Sequence, residues 1–328
     1  MGLDDDDVKL ARRRATGDAV LLRMFVAGVP LIAALAFSIQ AAARPVADPS
    51  YAVGLRVMRF VDRSRTIRLP TGRTEARSLV TYIRYPATGR LTRDERDAAP
   101  ARSGPFPLVV FGHGFALTPQ AYAYLFRTWA RAGYIVAAPV FPLENAKAPG
   151  GPNENDLINQ PADMSFVISR LIAASNTPGS PLYRLIDATR IAVAGHSDGG
   201  DTALATAYDS RDRDRRIKAA IILSGAEIPG LTGYSFAPGE PPLLACQGTA
   251  DRVNPPYLTE QFFDAAARPK FLLTLTGAQH LAPYTWEEPQ RGIVATLTTQ
   301  FLNHYLRHGP LPRLPRITAR TAIVSAEP

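Results

Sequence analysis

Apolar residues in this chain gather into short continuous runs separated by stretches with helical spacing. Runs at 106–111 (FPLVVF), 134–140, 191–194, 218–223, 243–246 and 271–275 are bounded by turn residues, as strands buried on both faces would be. Between them the spacing predicts helices over 120–132, 161–174, 201–207, 257–267 and 290–308. In 161–174 the stripe is Met164, Val167, Leu171 and Ile172, and in 290–308 it is Ile293, Leu297, Phe301 and Tyr305. Residues 51–61 and 76–85 alternate Val, Leu, Tyr and Ile with polar positions, and Pro70-Thr71-Gly72 lies between them, the pattern of a hairpin. Strands alternating with helices imply an α/β fold: a mostly parallel central sheet with helices on both faces and an antiparallel N-terminal edge.

The remaining stretches set the domain plan. Residues 1–43 carry Arg12-Arg13-Arg14 and Arg23, then an uncharged apolar stretch over 24–43 that ends Ala41-Ala42-Ala43. Basic residues, an apolar run and small residues are the parts of an export signal, with a cut after Ala43. An uncleaved membrane anchor is the alternative, because about 20 apolar residues can span a bilayer. Residues 44–50 form a linker, and one domain is expected over 51–308. The last stretch, 309–328, holds Pro310, Pro312 and Pro315 and is expected to be a tail. The Pro/Gly/Asn loop 141–161 is long enough to form one wall of a site.

Charge and cysteine content narrow the chemistry. The formal net charge is +8, but the basic residues are scattered and no nucleic-acid module is recognisable. No nucleic-acid partner is expected, and association with a membrane surface is expected only through the N-terminal segment. Cys246 is the single cysteine, so neither an intramolecular disulfide nor a cysteine-based zinc cluster can form. The five histidines show no metal-binding spacing. No cofactor or metal is expected.

The strongest local signal is Gly195-His196-Ser197-Asp198-Gly199, set between the run at 191–194 and the helical stretch at 201–207. Strand, G-x-S-x-G and helix together make a nucleophile elbow. The tight turn pushes the Ser197 hydroxyl out at the end of the sheet, and side chains at Gly195 or Gly199 would crowd the neighbouring backbone. A serine hydroxyl needs a base beside it and a third group to orient that base. With an elbow of this kind the acid and then the histidine follow in the chain, each after a strand. Asp251 follows the run at 243–246 and His280 follows the run at 271–275. Glu227 is the rival acid. Two backbone N–H groups are expected to receive the developing oxyanion: that of Asp198, and that of Phe115 in the turn Gly112-His113-Gly114-Phe115. His113 is expected to brace that turn and His196 to be structural. Phe115, Tyr284 and Trp286 are candidate substrate-facing aromatics.

The stretches YAVGLRVMRFVDRSR, VTYIRYPATG, VVFGHGF, PADMSFVISRL, GHSDGG and GTADRVNP resemble the α/β-hydrolase superfamily. More narrowly they are similar to bacterial dienelactone-hydrolase-like and platelet-activating-factor-acetylhydrolase-like serine esterases, and share features with cutinase-like polyester hydrolases. The resemblance implies an α/β-hydrolase fold. It also implies hydrolysis of carboxylic esters, small or lipid, through an acyl-enzyme on Ser197 with His280 and Asp251. Residues 225–242 are too few for a cap domain, so an open site is expected. A cell-envelope acyltransferase with the same triad, or a non-catalytic surface protein of the same fold, are the other readings.

Overall fold

Strand β3 (Phe106–Gly112) shows how the sheet is held. All seven of its residues are buried, with Leu108 and Val110 in one apolar cluster and Val109 and Phe111 in another. A strand that feeds two cores must be apolar at every position, which is why it reads as a continuous run. The computed structural model describes residues 50–91, 95, 97–313 and 320–328. Chain contacts divide the protein into Met1–Val46 and Ala47–Pro328, and every described residue lies in the second unit. The proposed signal or anchor and residues 44–49 of the linker fall outside the described residues. Among the described residues no helix is long and apolar enough to cross a membrane.

The first two strands, β1 (Ala52–Arg68) and β2 (Thr74–Ala87), form the expected antiparallel hairpin. They run several residues longer than the alternation indicated, with a register shift between Asp62 and Thr66. β4 (Ile135–Val140), β5 (Ile186–His196), β6 (Ile217–Leu223), β7 (Leu243–Gly248) and β8 (Lys270–Leu275) follow. With β9 (Ala322–Glu327), the described residues form a nine-stranded sheet in the order β1-β2-β4-β3-β5-β6-β7-β8-β9. β3 to β8 are parallel, and β2 meets β4 antiparallel.

The ninth strand corrects the sequence reading. Residues 309–328 were expected to be a tail, yet Ala322–Glu327 forms β9, paired antiparallel with β8 from Lys270↔Glu327 to Leu275↔Ala322. The preceding helix ends at Arg307, with His308 left-handed at φ 58° and the Gly309 N–H bonded to the Asn303 carbonyl at 2.9 Å, and residues 322–327 close the sheet edge. Only Ala322 of β9 is buried, so it has no strong apolar pattern of its own. Its order comes from main-chain bonds to a strand about fifty residues earlier.

Helices α1 (Ala123–Arg131) and α6 (Gln290–Arg307) cover one face, with Phe126, Trp129, Val294, Leu297 and Phe301 in that core. Helices α2 (Gln160–Asn176), α3 (Asp198–Tyr208) and α4 (Pro256–Ala265) contribute to the other core through Met164, Leu171, Leu204 and Phe262. A four-residue helix, α5 (Ala282–Thr285), follows β8. Among the described residues no helix stands between β6 and β7.

Candidate active site

The elbow forms where β5 ends and α3 begins. Ser197 sits between them at φ 55°, ψ −128°. This is a left-handed conformation that a non-glycine residue adopts only at a cost of about 1–3 kcal/mol. Its N–H donates to the Leu223 carbonyl of the neighbouring strand at 3.0 Å. The surrounding glycines are required by distance. A Cβ on Gly195 would lie 1.8 Å from the Gly199 carbonyl oxygen, and one on Gly199 would lie 2.2 Å from the Gly112 carbonyl carbon. These are backbone contacts, so no rotamer change could relieve them.

The three side chains named from the sequence meet at the C-terminal rim of the sheet. The Ser197 Oγ hydroxyl donates to His280 Nε2 at 2.8 Å, and His280 Nδ1–H donates to Asp251 Oδ2 at 2.8 Å. A carboxylate accepts only, so it holds the imidazole with its proton on Nδ1 and leaves Nε2 free to take one. Asp251 Oδ1 accepts from the Val253 and Asn254 N–H groups at 2.9 and 3.0 Å, and Gln247 Nε2 donates to Oδ2 at 3.3 Å. Burial acts to raise the Asp251 carboxyl, but the His280 bond and charge and the Asn254 N–H outweigh it and hold it below the usual range. The side chain of Asp251 is fully buried, while that of His280 keeps 15% exposure towards solvent. Glu227, the rival acid, is exposed.

The turn after β3 lies against the nucleophile: a Cβ on Gly114 would come within 3.1 Å of Ser197 Cβ. Phe115 and Asp198 therefore both flank Ser197. Neither of their N–H groups donates to another acceptor among the described residues.

Two buried histidines brace this arrangement, as expected. His113 Nδ1–H donates to the Gly114 carbonyl at 3.0 Å, and Nε2 accepts from the Phe141 N–H at 3.1 Å. His196 Nδ1 lies 2.8 Å from the Tyr122 hydroxyl, and Nε2 lies 2.9 Å from the His280 carbonyl. The carbonyl can only accept, so Nε2 carries the proton and Tyr122 donates to Nδ1. Tyr122 Oη in turn accepts from Gly114 N–H at 3.2 Å. A single chain of bonds thus runs from the turn after β3 to the backbone of His280. Burial lowers both imidazoles, His113 to about 4 and His196 to about 3, so both stay neutral.

Of the three aromatics read as substrate-facing, Phe115 and Trp286 are 43% and 63% exposed. Tyr284 is a correction. It is buried at 1% exposure, its hydroxyl donates to the Cys246 carbonyl at 2.9 Å and bonds Ser224 Oγ at 2.9 Å, and its ring packs on His196. It lies on α5, whose turn points it into the core rather than outwards. Two residues escaped the sequence reading. Tyr122 looks like any amphipathic aromatic on a helix, and Glu144 like any loop carboxylate. Neither has a local signal, because their partners lie 74 and 54 positions further along.

The strand order, the elbow and the rim placement of the three side chains define an α/β-hydrolase fold. The ferulic acid esterase from Streptomyces cinnamoneus shares it, with a TM-score of 0.64 over 87% of this chain and 98% of that one at 23% identity. A chlorophyllase family model matches residues 96–238. Chlorophyllase type 0 of Chenopodium album is 30% identical over 110 residues, 33% of this chain and 30% of that protein. Chlorophyllase-2 of Arabidopsis thaliana is 26% identical over 152 residues, 45% of this chain and 43% of that protein. The chain thus spans less than half the length of the curated relatives it matches. The matched family region holds Phe115, Ser197 and Asp198, while Asp251 and His280 lie beyond it.

Proposed function

We propose that this protein is a serine carboxylic-ester hydrolase. The observation that carries the reading is His280, bonded at 2.8 Å to Ser197 on one side and at 2.8 Å to Asp251 on the other. His280 Nε2 takes the hydroxyl proton as Ser197 Oγ attacks the ester carbonyl carbon. The carbonyl π electrons move to oxygen, and the N–H groups of Phe115 and Asp198 receive that charge. Asp251 stabilises the imidazolium so formed. The tetrahedral intermediate collapses, the C–O bond to the alcohol breaks, and His280 gives its proton to the departing oxygen. Water then repeats the sequence on the acyl-serine, releasing the acid and free Ser197.

The uncapped rim and the exposed rings of Phe115 and Trp286 support substrates with an apolar part, short to medium acyl esters or lipids. The basic residues and uncharged stretch of 1–43 support export, as a signal or an anchor. A fluorophosphonate probe is expected to label Ser197 in the full chain, with p-nitrophenyl esters of graded acyl length hydrolysed in parallel. Labelling that persists in Ser197→Ala, or no turnover of any ester, overturns the proposal. Product analysis with an added alcohol separates hydrolysis from acyl transfer.

A further inference from the structure

Glu144 follows β4, in the loop that was expected to wall the site, and it is completely buried. It reaches Asp198 itself and the turn that carries Phe115. Through its main chain, its carbonyl accepts from the Ala116 N–H at 3.0 Å, one residue past Phe115. Ala116 has φ 55°, a conformation that costs energy and must be held by its surroundings. A second bond, from Ala146 N–H to the Leu117 carbonyl at 3.2 Å, ties the same two loops. Through its side chain, Glu144 meets the carboxyl of Asp198, the first residue of α3.

Two buried carboxyls in contact cannot both be ionised. Both Glu144 carboxyl oxygens, and Oδ2 of Asp198, are buried with no N–H or O–H donor from the described residues. One proton between the two groups removes the like-charge contact and pairs one Glu144 oxygen with Asp198: the Glu144 O–H donates and Asp198 accepts. The surrounding charges favour the proton on Glu144. Asp201 of α3 and Asp156 of the 3-10 turn Glu154–Asn159 press on it with the same sign as Asp198, and the Tyr122 hydroxyl is also close. Burial first, and then these neighbours, push the Glu144 carboxyl up to about 11. Charge matters here because the Asp198 side chain lies beside the nucleophile, with Oδ1 3.4 Å from Ser197 Oγ. A second anion in that place would oppose the oxyanion that the reaction must form.

We propose that Glu144 is a positioning residue that couples the two oxyanion donors: it remains a neutral carboxylic acid, donates a hydrogen bond to the Asp198 side chain, and carries the turn of Phe115 on its own main-chain carbonyl. This rests on the serine-esterase reading, and the test separates the two. The infrared spectrum of the full chain at neutral pH is expected to contain the C=O band of a buried protonated carboxyl, and Glu144→Gln is expected to remove it. Glu144→Ala keeps the main-chain bond but not the side-chain one. It is expected to lower kcat for p-nitrophenyl butyrate on the order of 10- to 100-fold, with KM changed less, below the ~10²–10³ for outright loss of a donor. Glu144→Gln, whose amide N–H can donate to Asp198, is expected to recover most of kcat. Should Glu144→Ala not fold, Glu144→Asp, too short to reach, is expected to show the same selective loss of kcat. A hydrolysing wild type without the infrared band overturns the inference, as does a Glu144→Ala or Glu144→Asp variant with unchanged kcat. A wild type that shows the band but hydrolyses no ester leaves the carboxyl pair in place and overturns the esterase reading.

Discussion

Replacing Asp251 by Asn changes one atom and tests how the base is oriented. The direction the new amide must face follows from its neighbours. Val253 and Asn254 present N–H groups to Oδ1 at 2.9 and 3.0 Å, so the amide oxygen stays there. The NH₂ then takes the place of Oδ2 and faces His280 Nδ1, 2.8 Å away. That nitrogen must now accept, which moves the imidazole proton to Nε2, the atom 2.8 Å from Ser197 Oγ. An Nε2 that already carries hydrogen cannot take the serine proton. The alternative flip keeps the tautomer but sets the NH₂ against two backbone donors, leaving buried groups unpaired at about 1–3 kcal/mol each. The expected result is a fall in kcat of about 10⁴-fold with the fold intact. Steady-state hydrolysis of a p-nitrophenyl ester measures it, with circular dichroism and thermal melting as the control. A well-folded variant that retains kcat within about tenfold of wild type refutes the tautomer argument.

Stability is expected to fall with acid well before the carboxylates titrate. Burial keeps His113 and His196 neutral in the fold, at about 4 and about 3, whereas both take up a proton near the ordinary value of 6.5 once unfolded. The unfolded state then binds more protons, so stability is full above the ordinary value and declines as pH drops from there towards the folded values. The loss is up to about 2 kcal/mol per histidine by pH 5. Urea denaturation near pH 7.5 and pH 5 checks this, and equal midpoints contradict it. Tyr122→Phe removes the hydroxyl that joins Gly114 N–H to His196 Nδ1, and a loss of about 1–3 kcal/mol is expected by the same denaturation assay. Arg77→Ala leaves Asp156 and Asp163 buried without the guanidinium that bonds both at 2.6–2.8 Å, and destabilisation of about 3–5 kcal/mol is expected by thermal melting. A midpoint within experimental error of wild type in either variant contradicts the corresponding account.

The central strands were legible because each supplies both cores and has to be apolar throughout, as in Leu108 to Phe111. The elbow was legible because its glycines answer to backbone contacts within a few residues and across one neighbouring strand. β5 was read short: its first half, Ile186 to Arg190, carries Asp187 and Arg190, which bond each other at 2.6 Å at the partly exposed end of the strand. β9 was missed because an edge strand that buries only Ala322 resembles any small-residue segment after prolines. Trp286 and Tyr284, two residues apart, looked alike as candidates, but Tyr284 lies within a four-residue helix and packs against His196, while Trp286, just past the end of that helix, is exposed.

From the residues alone came the fold class, the choice of Ser197, Asp251 and His280 as the candidate triad, and the reading of His113 as a brace for its turn and His196 as structural. These depend on local rules: strand-end placement, turn sterics and the order of groups along the chain. The tertiary structure alone supplied the Tyr122–His196 relay, the Glu144–Asp198 carboxyl pair, the inward turn of Tyr284 and the closing strand β9. Each of these is a contact between segments distant in the chain. Hydrogen bonding and proton sharing depend on ångström separations that no spacing of letters encodes.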